Sequence, residues 1–386
     1  MEKLVILVPS LVVGGQERVA INAYHVLKKY FDVVICTFDV GERRYDCSEC
    51  EVINFSVPSS KNIIVKVFHV FKRAYLLKKY IKTNQVDIIV SISSGANLIN
   101  VLMGKQVFSM VQEHGYRATK LGILSRFIYN RADCIVAVSE GLRKKIVSYM
   151  PQIKEKCVRL YNPNMIDDIL CMAKEEPTNW IPEKQFKYIC ACGRLEIVKN
   201  YPRLIKAFYL LQLKYPEWRL VIIGEGSEVF NLKMLVEKLG ISDKVEFTGL
   251  QLNPFSYMAR CDLYVLSSYN EGLSNTLIEG MCFSPVIAVD CKVGPKEIIS
   301  ENIDIVVNDV TIADYGILVP AAQNSYNKSL LEDINCDDES LFRGIECMAG
   351  NVRLSRAFKN KGILRARNFD DKNYEVNLMN IFNRFR

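Results

Sequence analysis

The chain has 386 residues, which exceeds one ordinary α/β domain and fits two domains of roughly 150–200 residues each. Hydrophobic residues make up 49% and no run of about 18 apolar residues occurs, which excludes both a disordered chain and a transmembrane helix. The net charge of +7 arises in the first half, because residues 1–180 hold 25 Lys and Arg against 17 Asp and Glu, and residues 181–386 hold 25 against 26.

The first half alternates short β-branched runs with amphipathic stretches, a pattern typical of a parallel sheet with crossover helices. The apolar run after Lys3 lacks the small-residue cleavage site of a signal peptide, so we expect it to be a strand and the protein to be cytoplasmic. Ser139 is a suitable N-cap for a helix. The predicted strands are 3–8, 32–37, 87–92, 107–112 and 133–138, and the predicted helices are 16–29, 61–82, 120–131 and 139–149.

A segment with prolines and mixed charge interrupts this rhythm, and we interpret residues 166–186 as a linker. The alternation then resumes, and the sequence beyond residue 330 has helical character. The later predicted strands are 187–193, 219–224, 244–248, 262–267 and 285–289, and the later predicted helices are 200–213, 226–239, 253–259 and 274–283.

This organisation predicts an α/β protein with two Rossmann-like, doubly wound parallel-sheet domains that face each other across a cleft. The first domain would comprise residues 1–165 and the second residues 187–350. We expect the C-terminal helices, 351–386, to pack back towards the first domain. Nucleotides bind outside the carboxyl ends of the strands in such sheets.

The cysteines and histidines do not indicate a metal site. The 13 cysteines are an odd number in mostly apolar segments, which favours buried free thiols in a reducing compartment. Cys47 and Cys50 have the spacing of a metal-binding pair, but no second pair follows. Because the chain has only three histidines, His25, His69 and His114, we expect no zinc.

A glycine turn follows the first predicted strand at Gly14 and Gly15. Glycines at this position let the backbone approach a phosphate, and the following helix offers free N–H groups and the positive end of its dipole. The alternative is an ordinary turn between strand and helix, since the full three-glycine dinucleotide motif is absent.

A second turn of this kind carries two cations. Gly193, Arg194 and Lys199 follow one predicted strand and precede a helix. Arginine can bind two phosphate oxygens through its fork, and lysine acts as a mobile point charge, so the pair could converge on a diphosphate. The alternative is a solvated turn with two surface cations.

Two carboxylates, Glu271 and Glu279, flank the start of a predicted helix. Ionised carboxylates only accept hydrogen bonds, so each suits the paired hydroxyls of a sugar ring. A capped surface helix is the alternative, although Glu279 lies on an apolar face where a carboxylate is costly without partners. Unpaired N–H groups at this helix start would face a phosphate; they belong to Gly272, Leu273, Ser274 and Thr276.

His114 ends the fourth predicted strand of the first half. In a doubly wound domain this position faces the same cleft as the other site candidates. A structural histidine is the alternative.

Together these segments resemble family 4 of the retaining GT-B glycosyltransferases. The segments GRL with Lys199, VIIGEGSE, TGL, Glu-x7-Glu and VGPKEII in residues 187–300 resemble the donor-binding domain of that family, and GGQERV resembles its GGAERV-type opening. The resemblance covers most of residues 1–300. Sequences of relatives often read CPSGPREI where this chain has CKVGPKEI, with Val293 as the departure.

The resemblance implies a role for each candidate side chain. Glu279 would hold the nucleotide ribose and Glu271 would contact the donor sugar. Arg194 and Lys199 would bind the diphosphate, and His114 would lie near the reacting sugar.

Backbone groups would complete the donor site. The resemblance implies that the backbone around Gly15 and at Gly272 and Leu273 cradles the phosphate and sugar. The backbone near Leu250 and the residues after Gly224 would meet the base.

The implied activity is transfer of a hexose or N-acetylhexosamine from a nucleotide-diphosphate sugar to a lipid-linked or growing polysaccharide acceptor, with retention of configuration. The CKVGPKEI segment is a hint of a UDP-linked donor, and the products would be polysaccharides such as capsule or O-antigen. No Asp-x-Asp is placed to bridge a metal to the diphosphate, so we expect no metal and no cofactor beyond the donor itself. Arg194, Lys199 and helix N-termini would then stabilise the leaving phosphate. We expect no nucleic-acid partner.

Two other classes of function remain open. A nucleotide-sugar epimerase or a sugar phosphorylase shares the two-domain architecture, although an epimerase would be expected to carry more acid and base side chains than three histidines allow. A non-catalytic protein that binds a sugar nucleotide is the second alternative. The four groups of candidate site residues are all intact, which argues against a non-catalytic protein.

The predicted helix 61–82 carries seven Lys and Arg and no acidic residue. We expect its apolar stripe to pack on the sheet and its basic face to attract an anionic membrane at the inner face of the cell membrane, in a salt-sensitive manner. Further cations of the same domain are Lys120, Arg126, Arg131 and residues 143–145. The stripe consists of Ile64, Val67, Phe68, Phe71, Tyr75 and Leu76.

Overall fold

The computed structural model describes residues 1–12, 14–39, 47–115, 122–322 and 333–386. The chain forms two compact units. The first comprises residues 1–164 and 370–386, and the second comprises residues 165–369. Each unit contains one seven-stranded sheet.

The first sheet has the strand order β3-β2-β1-β4-β5-β6-β7, and its strands pair in parallel. Leu4, Val5, Ile6 and Leu7 are all fully buried, because helices cover both faces of the sheet. The strands are β1 (Lys3–Leu7), β2 (Asp32–Thr37), β3 (Val52–Asn54), β4 (Ile88–Ile92), β5 (Phe108–Glu113), β6 (Cys134–Ala137) and β7 (Cys157–Arg159).

Polar side chains cap several helices of the first unit. Asn62 accepts hydrogen bonds from the backbone N–H groups of Ile64 and Val65, and Ser139 accepts one from Leu142, as expected for a helix start. Five helices of the first unit lie in the described part of residues 1–164: α1 (Gly15–Leu27), α2 (Ile63–Asn84), α3 (Ser94–Val101), α4 (Ile123–Arg131) and α5 (Glu140–Tyr149).

The second sheet has the order β10-β9-β8-β11-β12-β14-β13, and it is parallel except for the β13–β14 pair. Its strands are β8 (Lys187–Cys192), β9 (Trp218–Ile223), β10 (Val245–Gly249), β11 (Leu263–Leu266), β12 (Val286–Val289), β13 (Thr311–Ile312) and β14 (Ile317–Val319). The helices of this unit are α6 (Ile166–Met172), α7 (Tyr201–Gln212), α8 (Val229–Lys238), α9 (Phe255–Met258), α10 (Asn275–Met281), α11 (Pro295–Ile299), α12 (Cys336–Ala349) and α13 (Val352–Ala366).

The last helix, α14 (Asp371–Phe385), belongs to the first unit. Its side chains Tyr374, Leu378, Ile381 and Phe382 join the core cluster that contains strands β1 and β2. The chain therefore passes between the units twice. The two passages are adjacent in the first unit, since the backbone N–H of Asp371 donates to the carbonyl of Asn164 over 3.1 Å.

The sequence placed the long buried strands well but missed short elements. The prediction for β2 agrees residue by residue, while the edge strand β3 and the strand β7 were missed because each has only three residues. The short helices α3 and α11 were missed for a similar reason. Residues 166–172, interpreted as linker, form α6 within the second unit. Lys120 lies outside the described residues.

The expectation that the apolar stripe of α2 packs on the sheet is wrong. Phe68 is 64% exposed, and Phe71 and Tyr75 are each 68% exposed. The buried side of α2 is formed by Leu77 and Ile81, which lie on a different face and near the other end of the helix.

Candidate functional site

Several predicted donor-site residues of the second unit lie at the switch point of its sheet. β8 and β11 are neighbours there, although they are the first and fourth strands of that sheet along the chain. The chain leaves them in opposite directions, towards β9 and β12, which opens a crevice at their carboxyl ends. Gly193 follows β8 directly, and Ser267 follows β11.

An ion pair occupies this crevice. The Lys199 Nζ atom lies 2.8 Å from Glu271 Oε1, and both side chains are largely shielded from solvent. The Ser268 hydroxyl donates to the same oxygen over 2.7 Å, while the Ser267 hydroxyl donates to the Lys199 carbonyl over 2.8 Å. Neither contact of the Glu271 carboxylate uses Oε2, which leaves a carboxylate oxygen for hydroxyl donors of a ligand.

The loop after β8 is held by a close backbone approach to the loop after β9. Gly224 has φ +140°, and a Cβ atom there would lie 2.0 Å from the Gly193 carbonyl oxygen. Only glycine can occupy this position without moving the Gly193 loop. The Gly224 N–H donates to the Gly249 carbonyl over 2.9 Å, which links the loop to the end of β10.

Arg194 lies on this loop with an exposed side chain. Within the described ranges its guanidinium makes no hydrogen bond or ion pair, in contrast to Lys199. The following residue, Leu195, is fully buried and anchors the loop to the core. The fold thus fixes the backbone beside Arg194 and leaves five N–H donors available to an anion.

The start of α10 lies against a second glycine loop. Gly294 has φ +96°, and a Cβ atom there would lie 2.8 Å from the Gly272 carbonyl oxygen. Gly272, Leu273 and Ser274 are buried, and the Ser274 hydroxyl lies 3.3 Å from that of Thr276.

Glu279 lies inside α10 and is 3% exposed. Its carboxylate contributes to raising the pKa of Cys282, after the larger effect of burial, and Arg367 acts in the opposite direction. Glu279 and Arg367 therefore both lie near the Cys282 thiol. Leu250, the remaining candidate of this unit, follows β10 and is half-buried.

The first unit carries the other three candidates at the carboxyl edge of its own sheet. Gly14 is the N-cap of α1 and Gly15 its first residue. A Cβ atom at Gly15 would meet no atom within 4 Å, whereas one at Gly14 would lie 2.1 Å from Glu17 Oε2. None of the residues that the structure describes therefore requires glycine at position 15.

His114 follows β5 and is held by Gln112, whose Oε1 lies 3.2 Å from His114 Nε2. Burial lowers the pKa of His114 to about 4, so the ring is neutral at physiological pH. Burial raises the pKa of the adjacent Glu113 to about 7, against a smaller opposing effect of its hydrogen bond from Asn97. The Asn97 amide donates to Glu113 Oε1 over 3.1 Å and to the Gln112 carbonyl over 2.9 Å.

The structure thus brings Gly193, Lys199, Gly224 and Glu271 together, and Arg194 follows Gly193 on the same loop with no hydrogen bond or ion pair of its guanidinium to any described residue. The sequence reasoning missed Ser267 and Ser268. Their position directly after β11 was the available signal, since the carboxyl end of a strand at a switch point faces the ligand crevice. Gln112 and Glu113 end β5 and carried the same signal, whereas Asn97 lies inside α3 and carried none.

Two family models match the chain, and each falls within one unit. The model described as Glycosyltransferase Family 4 matches residues 13–164, and the model described as Glycosyl transferases group 1 matches residues 173–317.

Curated relatives match along most of the chain. The N-acetylgalactosamine-N,N'-diacetylbacillosaminyl-diphospho-undecaprenol 4-alpha-N-acetylgalactosaminyltransferase of Campylobacter jejuni is 28% identical over 386 residues, covering 96% of each protein. The lipopolysaccharide 1,6-galactosyltransferase of Salmonella typhimurium is 24% identical over 304 residues, covering 75% of this chain and 80% of that protein.

Solved structures share the fold. HepE of Anabaena, determined in complex with UDP and glucose, superposes with a TM-score of 0.75 at 17% identity, covering 99% of this chain and all of the other. The predicted GT-B class, with two Rossmann-like doubly wound sheets and a helical C-terminus, is confirmed. In the described parts of the chain, no helix has both the length and the apolar character to cross a bilayer.

Proposed function

Since this chain belongs to the group 1 glycosyltransferases of family 4, we propose that it transfers a hexose or N-acetylhexosamine from a UDP-linked donor to a lipid-linked or growing polysaccharide acceptor, with retention of configuration. The observation that carries the proposal is the Lys199–Glu271 pair at the switch point of the second sheet. It combines a cation for the diphosphate with a carboxylate for sugar hydroxyls in one crevice.

The relatives support the acceptor and the donor of this proposal. The acceptor named for the Campylobacter relative is a glycan on diphospho-undecaprenol, and that of the Salmonella relative is lipopolysaccharide. A lipid-linked acceptor is therefore the class to test first. The UDP bound to HepE supports uridine as the nucleotide.

We assign the leaving diphosphate to Lys199, Arg194 and the backbone of the Gly193 loop. When the glycosidic C–O bond breaks, negative charge develops on the phosphate, and cations aimed at it lower the barrier without a metal ion. Retention would follow from attack of the acceptor hydroxyl on the face that the diphosphate leaves. The leaving phosphate would then take the acceptor proton.

Glu271 and Glu279 have separate roles in this proposal. Glu271 binds hydroxyls of the donor sugar through Oε2, which neither Lys199 nor Ser268 contacts, and Glu279 binds the ribose diol. His114 stays neutral because its pKa lies near 4, so it contributes a hydrogen bond to the reacting sugar rather than a positive charge.

The decisive experiment is a turnover assay with UDP-glucose, UDP-galactose, UDP-GlcNAc and UDP-GalNAc. A short-chain polyprenyl-diphosphate glycan serves as the acceptor, and NMR of the product reports its anomeric configuration. We expect one donor to give an α-linked product, with the rate unchanged by EDTA. An inverted product would overturn retention, and strict dependence on Mg²⁺ or Mn²⁺ would overturn the metal-free mechanism.

The same assay separates the other classes. A nucleotide-sugar epimerase would convert the donor without any acceptor, and a non-catalytic protein would bind UDP without turnover. Glu271→Gln tests whether this site carries the activity, since the amide preserves the size of the side chain but loses the charge that pairs with Lys199. We expect at least a hundredfold loss of turnover, in the range found when one charged group that stabilises a transition state is removed.

A further inference from the structure

The first turns of α2 expose a continuous apolar surface. Ile64 is 77% exposed, Phe68 64%, and Phe71 and Tyr75 68% each. These four residues, which we name the exposed face of α2, recur at intervals of four, three and four residues and so lie on one side of the helix. Ile63 and Val67 widen this surface, with exposures of 76% and 53%.

From residue 69 onwards α2 is anchored in the first unit, since His69 Nδ1 lies 2.8 Å from the Pro58 carbonyl oxygen and Val70 and Ala74 pack against the core cluster that contains Leu77 and Ile81. Leu77 and Ile81 are buried there, and residues 61–68 are exposed on every side of the helix. The first turns of the helix therefore lie outside its packed part, and their apolar side chains are exposed. Isolated exposed apolar residues are ordinary, but a contiguous patch of this kind marks an interaction surface.

The charges around this surface define its partner. Lys78 and Lys82 continue the exposed face along the same side of the helix, and Lys72 and Lys79 flank it, all with exposed side chains. No acidic residue occurs in α2. Aromatic and aliphatic side chains next to a cluster of lysines complement a bilayer with anionic headgroups, in the manner of a helix that lies in the membrane interface.

Arg73 does not belong to this surface. Its guanidinium donates two hydrogen bonds to the Val57 carbonyl, of 2.9 and 2.7 Å, and lies 4.9 Å from the centre of the Phe38 ring. Its side chain holds the loop before α2 against the sheet and is left unchanged in the test below.

The exposed face lies on the same side of the sheet as the candidate acceptor groups. α2 follows β3 and leads to β4, and parallel strands connected in this way place the start of the helix at the carboxyl edge of the sheet. Gly15 and His114 follow β1 and β5 at this edge. A membrane that receives α2 would therefore lie on the side from which a lipid-linked acceptor must reach the first unit.

We propose that the exposed face of α2 inserts into the interface of an anionic bilayer, with Phe68 and Phe71 among the acyl chains and the lysines at the headgroups. This inference goes beyond the proposed reaction and concerns how the first unit meets the acceptor's membrane. It also changes the expected effect of salt. Electrostatic attraction alone would be abolished at high salt, whereas inserted apolar side chains keep part of the binding.

The test is co-sedimentation of the full chain with vesicles of phosphatidylglycerol and phosphatidylcholine. We expect wild-type protein to bind at low salt and to remain partly bound in 1 M NaCl. Phe68→Ser with Phe71→Ser should weaken binding at least tenfold and abolish the salt-resistant part. Changing Lys72, Lys78, Lys79 and Lys82 to Gln should weaken binding at low salt only. Phe230→Ser is the matched control, because Phe230 is 70% exposed on α8 of the other unit.

Insertion depth gives a second readout. Phe68→Trp should show a blue-shifted emission with vesicles and quenching by brominated acyl chains, and Phe230→Trp should show neither. Absence of vesicle binding, or complete release of the wild type by salt, would overturn the proposal. Concentration-dependent dimerisation that Phe68→Ser abolishes, without vesicle binding, would assign the surface to a second copy of the chain instead.

Failure of the membrane proposal can be distinguished from failure of the proposed reaction. The Phe68→Ser, Phe71→Ser protein should retain wild-type turnover with a soluble short-chain acceptor and lose turnover with an acceptor embedded in vesicles. Loss with both acceptors would overturn the assignment of these residues to the membrane. A chain that binds vesicles but turns over no donor would contradict the proposed function alone.

Discussion

Lys199 and Glu271 are 72 residues apart in the sequence, and their side chains meet over 2.8 Å between the loops that follow β8 and β11. The pairing holds the lysine ammonium in place before a donor arrives. Lysine has three N–H donors, so one can stay with Glu271 while the others turn to a phosphate. The ion pair thus orients the cation that we assign to the leaving group.

The two cations of this loop should respond differently to substitution. Arg194→Ala should lower turnover about a hundredfold, the typical effect of losing one charge stabiliser, and leave the thermal unfolding temperature unchanged because the side chain is exposed. Lys199→Ala should lower turnover to a similar extent and also destabilise the fold, since Glu271 then loses its partner. Steady-state kinetics and thermal unfolding measure both effects. Arg353→Ala, an exposed arginine of the same unit, is the control. Equal activity of Arg194→Ala and wild type would remove Arg194 from the site.

Glu279→Gln tests the assignment of the ribose. If the carboxylate binds the ribose diol, losing a charged hydrogen bond worth about 1.5–3 kcal/mol should weaken UDP binding roughly ten- to 150-fold. Isothermal titration calorimetry with UDP measures this. Because Glu279 is buried, the variant's unfolding temperature must be compared with that of wild type. Unchanged affinity for UDP in a folded variant would place the ribose elsewhere.

Two glycines should give opposite results when changed to alanine. Gly224→Ala should destabilise the second unit by a few kcal/mol, since the residue has φ +140° and its new Cβ would clash with the Gly193 carbonyl. Gly15→Ala should leave stability unchanged or slightly raised, because its Cβ meets nothing within 4 Å and alanine favours a helix. Denaturant unfolding measures both. If Gly15 approaches a ligand phosphate, Gly15→Ala should still raise the KM for the donor, and an unaltered KM would contradict that role.

Glu113 and His114 should have opposing effects on the pH dependence of stability. The pKa of Glu113 rises on folding to about 7, so its contribution to the free energy of unfolding falls as the pH rises from about 4.5 to 7. The pKa of His114 falls on folding to about 4, so its contribution rises as the pH goes from about 4 to 6.5. In wild type the two contributions largely cancel where these ranges overlap.

Single substitutions should reveal the cancellation. Glu113→Gln should gain up to about 3 kcal/mol of stability relative to wild type between pH 4.5 and pH 7.5, the free energy that corresponds to the pKa change of Glu113. His114→Asn should change stability in the opposite direction over this range. Urea unfolding at pH 4.5, 6 and 7.5 measures the difference. Parallel curves for Glu113→Gln and wild type would show that Glu113 keeps an ordinary pKa.

The sequence allowed the loops that carry the candidate donor-site residues to be located, because glycines, cations and carboxylates directly after buried strands can be recognised without coordinates. Ser268 belongs to the same class and could have been found from its position after β11. The contact between Asn97 and Glu113 could not, since nothing local reports which side chains two separate elements will bury together. For α2, the periodicity correctly indicated which residues share a face. It could not indicate that this face is exposed instead of packed on the sheet.

The position of α14 has a consequence for synthesis of the protein. Tyr374, Leu378, Ile381 and Phe382 complete the apolar core of the first unit, but they are translated after all of residues 165–369. At about 5–20 residues per second, the ribosome needs roughly 10–40 s to add that intervening unit. During this interval the core surface that α14 covers is open to water or to a chaperone. The first unit is begun first and finished last, so its final folding step is tied to completion of the second.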